Sequence, residues 1–260
     1  MRSMKMAIMH GNSNVLRAGG AALGFLIQSL PGDWRRRIGV HFGVPDVCWS
    51  LQLLSSLGFS PSNVLDIGAF HGNWARACLS VFPNAGITCI EPQNEPQKSL
   101  YALASGNPKL QIIQTLLGAK KRDRVLFGEQ GSGSSVLLSV PGKAGVRPMT
   151  TIDHLIQTGT CAPPELLKLD VQGYELEVLE GWTIEVERCQ IIQCEVSLLP
   201  LIPGAPLLEE VVSYLARRGF LMWDVDELIR APSDGAVWQI DALFCKKDSP
   251  LRHERVWKRA

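Results

Sequence analysis

The sequence predicts an α/β fold: an open, mostly parallel sheet flanked by helices and finished by an antiparallel pair of strands. Three observations carry this reading. Short apolar runs of strand length recur at residues 64–67, 87–90, 166–169 and 189–194, and segments of helical periodicity separate them. The first run, Val64-Leu65-Asp66-Ile67, breaks directly into Gly68-Ala69-Phe70-His71-Gly72, where a helix should begin. The alternation then runs on without an internal repeat or a dividing linker.

Length and composition set the bounds. A chain of 260 residues with 46% hydrophobic content can bury one large core. We expect a helical extension over residues 1–60 packed on the core, a ligand-binding domain over 61–248 and a basic, solvated tail over 249–260. The formal charge of +1 makes no electrostatic case for nucleic acid. Seven cysteines form no C-x-x-C pair and sit mostly in apolar runs, so they read as reduced core residues and not as a zinc site. The apolar stretch 15–30 is too short and too broken by Arg17 and glycines to span a bilayer. A cytoplasmic protein is expected, with peripheral membrane contact as the minor alternative.

Each element has its own signal. Val47, Leu51, Leu54 and Leu57 recur at helical spacing before a capping Gly58, and a second helix over 73–81 presents Trp74, Ala77, Cys78 and Val81 on one face. A strand over 87–90 ends in Glu91-Pro92, a helix covers 97–104, and a third strand over 110–117 closes at Gly118, in the loop that borders an adenine in such sheets. Residues 125–127 and 136–140 read as an added hairpin joined by a Gly/Ser run that is either a lid or a loose connection. Thr150 with Asp153 three residues later reads as a helix cap. The fourth strand ends in Asp170 and leads to a helix over 174–179; the fifth, 189–194, ends in Glu195. Leu207, Leu208, Val211, Val212 and Leu215 form an amphipathic helix stopped by Gly219, and the strands 220–225 and 239–244 must be antiparallel because their connection is short.

The candidate site follows from the strand ends. Gly68 and Gly72 permit a tight turn and close approach to a ligand, and Asp66 can accept hydrogen bonds. Their D-x-G-x-x-x-G spacing lacks the pattern that cradles a pyrophosphate, which favours a ligand without phosphate. Glu91, at the end of the second strand with Pro92 fixing the backbone behind it, is placed to accept ribose hydroxyls from an adenosine. Asp170 is the first choice for a catalytic base or acceptor orienter and Glu195 the second; together they could instead hold Mg²⁺, and the residues alone do not separate these roles.

Three segments, 64–72, 90–92 and 168–181, the last reading K-L-D-V-Q-G-Y-E-L-E-V-L-E-G, resemble the FkbM family of S-adenosylmethionine-dependent methyltransferases. The likeness extends over about residues 61–244, with Ser134, Ser135 and Thr151-Ile152-Asp153 also in keeping. It implies the class I methyltransferase fold, a Rossmann-like three-layer sandwich whose seven-stranded sheet has its last strand antiparallel. It also implies methyl transfer, typically to hydroxyls of sugars or other metabolites, so a small-molecule or glycan acceptor is expected. By this resemblance Asp66, Gly68, Ala69 and Gly72 line the methionine part of S-adenosylmethionine, and Glu91 holds its ribose. The rival readings are an NAD(P)-dependent oxidoreductase, which needs the missing phosphate glycines, and a non-catalytic cofactor-binding scaffold.

Overall fold

The computed structural model describes residues 47–138, 144–231 and 233–252. Among them the elements run α1 (Val47–Ser56), β1 (Asn63–Ile67), α2 (Asn73–Val81), β2 (Gly86–Ile90), α3 (Gln97–Ser105), β3 (Leu110–Ile113), β4 (Leu116–Leu117), β5 (Arg122–Gly128), β6 (Ala144–Thr150), α4 (Ile152–Gln157), β7 (Leu166–Leu169), α5 (Glu175–Glu180), β8 (Ile191–Ser197), α6 (Leu208–Arg217), β9 (Phe220–Arg230) and β10 (Val237–Lys246). The main sheet has seven strands in the order β3-β2-β1-β7-β8-β10-β9. All pairings are parallel except those of β10, which runs antiparallel to β8 and to β9 between which it lies. The turn between β9 and β10 is too short for a crossover, so β10 must run back beside its predecessor. This is the expected sheet with its last strand antiparallel.

Strand alternation divides the interior into two layers. Leu65, Ile67, Leu167, Leu169, Ile192 and Cys194 face one core with Val178, Leu179, Val211 and Leu215 of α5 and α6. Val64, Cys89, Leu166, Ile191 and Leu243 face the other, covered by Leu51 and Leu54 of α1, Ala75 and Cys78 of α2, and Leu100 of α3. The face of α2 is thus centred on Ala75 with Cys78. Each β-strand places successive side chains on opposite faces, so both layers can be apolar only where the runs are apolar throughout.

Several expectations are corrected. The run 110–117 is two strands, because β3 ends at Ile113 and β4 joins a separate three-stranded sheet in the order β4-β6-β5. The partner of β5 is β6 in an antiparallel pair, not residues 136–140; Val136 and the turn after it carry no ladder, and 139–140 lie outside the described residues. Thr150 ends β6, and it is Thr151 that caps α4 by accepting from the His154 N–H at 3.0 Å. Asp153 turns outward from that cap and accepts from Thr183 N at 2.7 Å and Ile184 N at 3.1 Å, which fixes the loop after α5. Cys189 precedes β8 and is not part of it. The apolar segment 15–30, most of the N-terminal extension and most of the basic tail lie outside the described residues. No helix among the described residues is long and apolar enough to cross a membrane. The six described cysteines are buried and free, and burial pushes the Cys161 thiol up to about 11.

The small sheet meets α5 through two glycines that admit no side chain. A Cβ on Gly181 would lie 2.2 Å from the Gly118 carbonyl oxygen, and one on Gly118 would lie 2.6 Å from the Met149 sulfur. Gly181→Ala should therefore lose about 1–3 kcal/mol of unfolding free energy in urea denaturation. Gly106→Ala, where φ is −89° and the nearest atom is 3.8 Å away, should be close to neutral in the same assay.

Candidate active site

The sheet order reverses between β1 and β7, and the crevice beyond the carboxyl ends of such a strand pair is where open α/β sheets bind ligands. Gly68 follows β1 and Asp170 follows β7, and the two are in contact. A Cβ on Gly68 would lie 1.8 Å from the Asp170 carbonyl oxygen, and its φ of +81° is also a glycine conformation, so this position is doubly restricted. Gly68 N and Ala69 N both donate to Ile90 O, at 2.9 and 3.1 Å, which carries the loop across the end of β2. Phe70 has φ 45° and donates its N–H to Glu91 Oε2 at 2.9 Å.

Two cavities meet at this crossing, sharing Gly68, Phe70 and Asp170. The first is a mostly apolar cleft walled by Ile90, Leu116, Leu117 and Phe127, with Glu91 and Tyr174 also lining it. The Gly/Ser run forms part of its wall. Ser134 Oγ donates to Gln93 Oε1 at 2.9 Å, Ser135 Oγ donates to Gln172 O at 2.7 Å, and Gly128 and Ser135 exchange backbone hydrogen bonds, so the run is tied down at both sides of the cleft. The second cavity is lined by Asp66, Ala69, Asn73, Trp74, Lys168 and Asp241 among others, and it opens at the start of α2.

Between the cavities lies a buried charge network. Alternation puts Asp66, Lys168 and Gln193 on one face of three neighbouring strands, in register as Asp66↔Lys168 and Lys168↔Gln193. Lys168 Nζ donates to Asp170 Oδ2 at 3.1 Å, and its side chain is only 6% exposed. Burial by itself would lower the Lys168 pKa, but Asp170, Asp241, Asp66 and Glu195 outweigh it and hold the ammonium charged. For Asp170 the balance is reversed. Burial raises its pKa, while Lys168 and hydrogen bonds from Glu195, Gln172 and Lys168 more than offset that, leaving an ionised carboxylate. Burial followed by repulsion from Asp170 drives Glu195 the other way, so it stays protonated and donates to Asp170. Gln172, held at φ 52°, reaches both carboxyls, donating to Asp170 Oδ1 at 2.8 Å and to Glu195. Burial also pushes Asp66 up to about 7, with Lys168 opposing it.

The structure sorts the sequence candidates. Asp66, Gly68 and Ala69 line the second cavity and Gly68, Glu91 and Asp170 the cleft. Gly72 does not reach either: it starts α2 with φ 78°, crowded by Leu100 and Leu103. Gly118 is likewise a packing residue against Met149 and Gly181, and Thr115, Leu116 and Leu117 take the place on the cleft wall expected for it. Glu195 lines neither cavity, and burial with the neighbouring charge of Asp170 pushes its pKa up, which does not favour the base role expected for it. The same pair does not fit Mg²⁺, because an ammonium already occupies Asp170 and a protonated carboxyl is a poor ligand for a hard cation. Among the described residues no three His, Cys, Asp or Glu side chains converge as a metal site.

Lys168, Gln172, Gln193, Asp241 and Trp74 were given no role in the site from the sequence, although a signal was present. Lys168 and Gln193 interrupt otherwise apolar runs, as Asp66 does. Trp74 Nε1 donates to Gln193 Oε1 at 2.8 Å, and Gln193 Nε2 donates to Asp241 Oδ2 at 3.2 Å, which links α2 to β10.

Sheet order and reversal point are those of the class I methyltransferase fold, which is shared with methyltransferase FkbM of Methylobacillus flagellatus KT at a TM-score of 0.50. That structure is 16% identical; the alignment covers 90% of this chain and 60% of the other, so the chain spans less than two thirds of that protein's length. Residues 66–222 match the Methyltransferase FkbM domain, and the chain belongs to the FkbM methyltransferase family. It is also 23% identical over 197 residues to the hexuronic acid methyltransferase AglP of Haloferax volcanii, covering 70% of this chain and 73% of that one. Family membership sets the oxidoreductase reading aside.

Lys168→Met tests the charge network. The variant leaves buried carboxylates without their cation and should lose about 3–5 kcal/mol at pH 8. Without the ammonium the Asp66 pKa rises further above its unfolded value, and Asp170 loses the cation that holds its own below it. A raised acid contributes stability that is lost as pH rises, so the variant's deficit should grow from pH 5 to pH 8 and shrink again on acidification. Urea denaturation of both proteins across that range reads the difference.

Proposed function

We propose that S-adenosylmethionine lies in the cleft with its methionine end reaching the near wall of the adjoining cavity, and that the rest of that cavity receives a hydroxyl-bearing acceptor, a sugar or a related metabolite, for O-methylation. The observation that carries the reading is the meeting of the two cavities at Gly68, Phe70 and Asp170, where a donor in one would face an acceptor in the other. The residues fit the donor. Each Glu91 oxygen accepts one backbone N–H, from Phe70 at 2.9 Å and from Gln93 at 2.8 Å, which leaves lone pairs for two ribose hydroxyls. Ile90, Leu116, Leu117 and Phe127 suit a flat apolar base. Asp66 and the first amides of α2 suit an ammonium and a carboxylate respectively. The name of the Haloferax relative supports an acceptor among sugars.

S-adenosylmethionine would supply an electrophilic methyl group. The chain's part is to place the acceptor oxygen in line with it, and orientation of this kind is worth about 7–11 kcal/mol. Asp170, ionised at neutral pH, accepts the hydrogen bond of the acceptor hydroxyl and aims its oxygen. Glu195, Gln172 and Lys168 hold that carboxylate in one orientation. Because Lys168 lowers its basicity, Asp170 acts first as an orienter and takes the proton late, once the hydroxyl has become strongly acidic through methylation.

Glu91→Ala should weaken S-adenosylmethionine binding by about 1.5–3 kcal/mol in calorimetry, the range for a hydrogen bond to a charged group. Unchanged affinity removes Glu91 from the site. Asp170→Asn should keep the affinity but lower transfer of radiolabelled methyl to an accepted sugar by at least about 100-fold. Absence of S-adenosylmethionine binding by the unaltered protein overturns the function itself.

A further inference from the structure

We propose that Trp74 is a specificity-determining residue: its indole seats the ring of a pyranose acceptor, whose hydroxyls at opposite edges reach Asp170 and Asp241. The inference rests on the reading of the second cavity as the acceptor's. Trp74 is the second residue of α2, half-buried, and its side chain lines that cavity. Its Nε1 donates to Gln193 Oε1 at 2.8 Å, and Gln193, itself 0% exposed, donates onward from Nε2 to Asp241 Oδ2 at 3.2 Å. The single polar atom of the indole is thereby committed inside the protein, so what Trp74 offers the cavity is carbon.

Packing alone does not account for this arrangement. The ring rests partly on the second core, which an aliphatic side chain could also cover. The hydrogen bond to Gln193 does something more, because it fixes the angle of a flat surface on a wall that otherwise carries ionisable groups such as Asp170, Lys168 and Asp241. Asp170 follows β7 and Asp241 lies on β10, with β8 between them. Two strand spacings put their backbones roughly 9–10 Å apart. A ligand that suits this wall has an apolar face for the indole and hydroxyls spread round its edge for the two carboxyls. A pyranose has both, since its C–H groups gather on the ring faces and its hydroxyls project at the rim. Burial pushes the Asp241 pKa up, and a carboxyl hydrogen-bonds a hydroxyl in either protonation state. The match therefore needs no particular charge on Asp241. An extended aliphatic alcohol would leave the second carboxyl without a partner.

Saturation-transfer NMR of the protein alone with methyl glucopyranoside, methyl galactopyranoside and methyl mannopyranoside reads the seat directly. At least one of the three should bind, with its ring C–H protons the most strongly saturated; binding of none overturns the proposal. For a glycoside that binds, Trp74→Leu, which keeps apolar bulk and removes the flat ring, should weaken affinity by at least about fivefold, and Trp74→Phe should weaken it less. Equal affinity in the unaltered and leucine proteins overturns the proposal. S-adenosylmethionine affinity by calorimetry should be unchanged in both variants; a variant folded by circular dichroism that loses the two ligands alike also overturns it. If the leucine variant does not fold, the unaltered sequence labelled with 5-fluorotryptophan decides: the ¹⁹F resonance missing from Trp74→Phe should move on addition of the glycoside, and a stationary resonance overturns the proposal. Absence of S-adenosylmethionine binding by the unaltered protein defeats the methyl-donor reading, whereas the glycoside titration is made without any nucleoside and tests the seat by itself.

Discussion

The buried ammonium of Lys168 is the constraint around which the centre of this protein is arranged. A charge taken from water at the middle of a sheet is tolerable only with partners around it, and here they come from four neighbouring strands and the loop that ends one of them: Asp170 in direct contact, with Asp66, Asp241 and Glu195 nearby. Their arrangement in turn sets which carboxyls are ionised. Asp170 keeps its charge because it holds the ammonium, and Glu195 keeps its proton because it is buried and lies beside that charge. One interaction therefore decides which acid can orient a ligand and which can only support it.

The same centre explains the tight backbone contacts nearby. Where β1 and β7 run side by side at the reversal of strand order, the loop after β1 must pass the Asp170 carbonyl, and only a residue without a side chain can do so. Gly68 makes that passage, and Phe70 then turns back to Glu91 through its backbone N–H. The loop after β7 is tied by Gln172, whose side chain reaches two carboxyls and whose carbonyl accepts from Ser135. Cleft wall, charged network and glycine loop thus share residues, and a change in any of them should be felt in the others.

Much of this was legible in the chain itself. Apolar runs, turn glycines and helical spacing located nearly all the elements of the main sheet and its helices, because buried parallel strands and amphipathic helices leave distinct periods. Asp66, Glu91 and Asp170 were found as acids at strand ends, the one place where a carboxylate in such a sheet meets a ligand. The small sheet was not found correctly. Residues 136–140 have the apolar content of a strand, but β5 pairs instead with Ala144–Thr150, whose glycine and proline obscure a strand pattern. Gly118 looked like a ligand-loop glycine, while its actual reason is the approach of Gly181, distant in sequence.

What the sequence determined by itself is local and periodic: an alternating βα chain, an acid at the end of each critical strand, and a glycine loop without a pyrophosphate pattern. What only the tertiary structure decided is the protonation and partnership of those acids. Lys168 and Gln193 were visible as polar breaks in apolar runs, but nothing in the chain order puts them beside Asp66. Strand order does, because pKa values depend on distances across the sheet, and those distances exist only once β1, β7, β8 and β10 lie side by side.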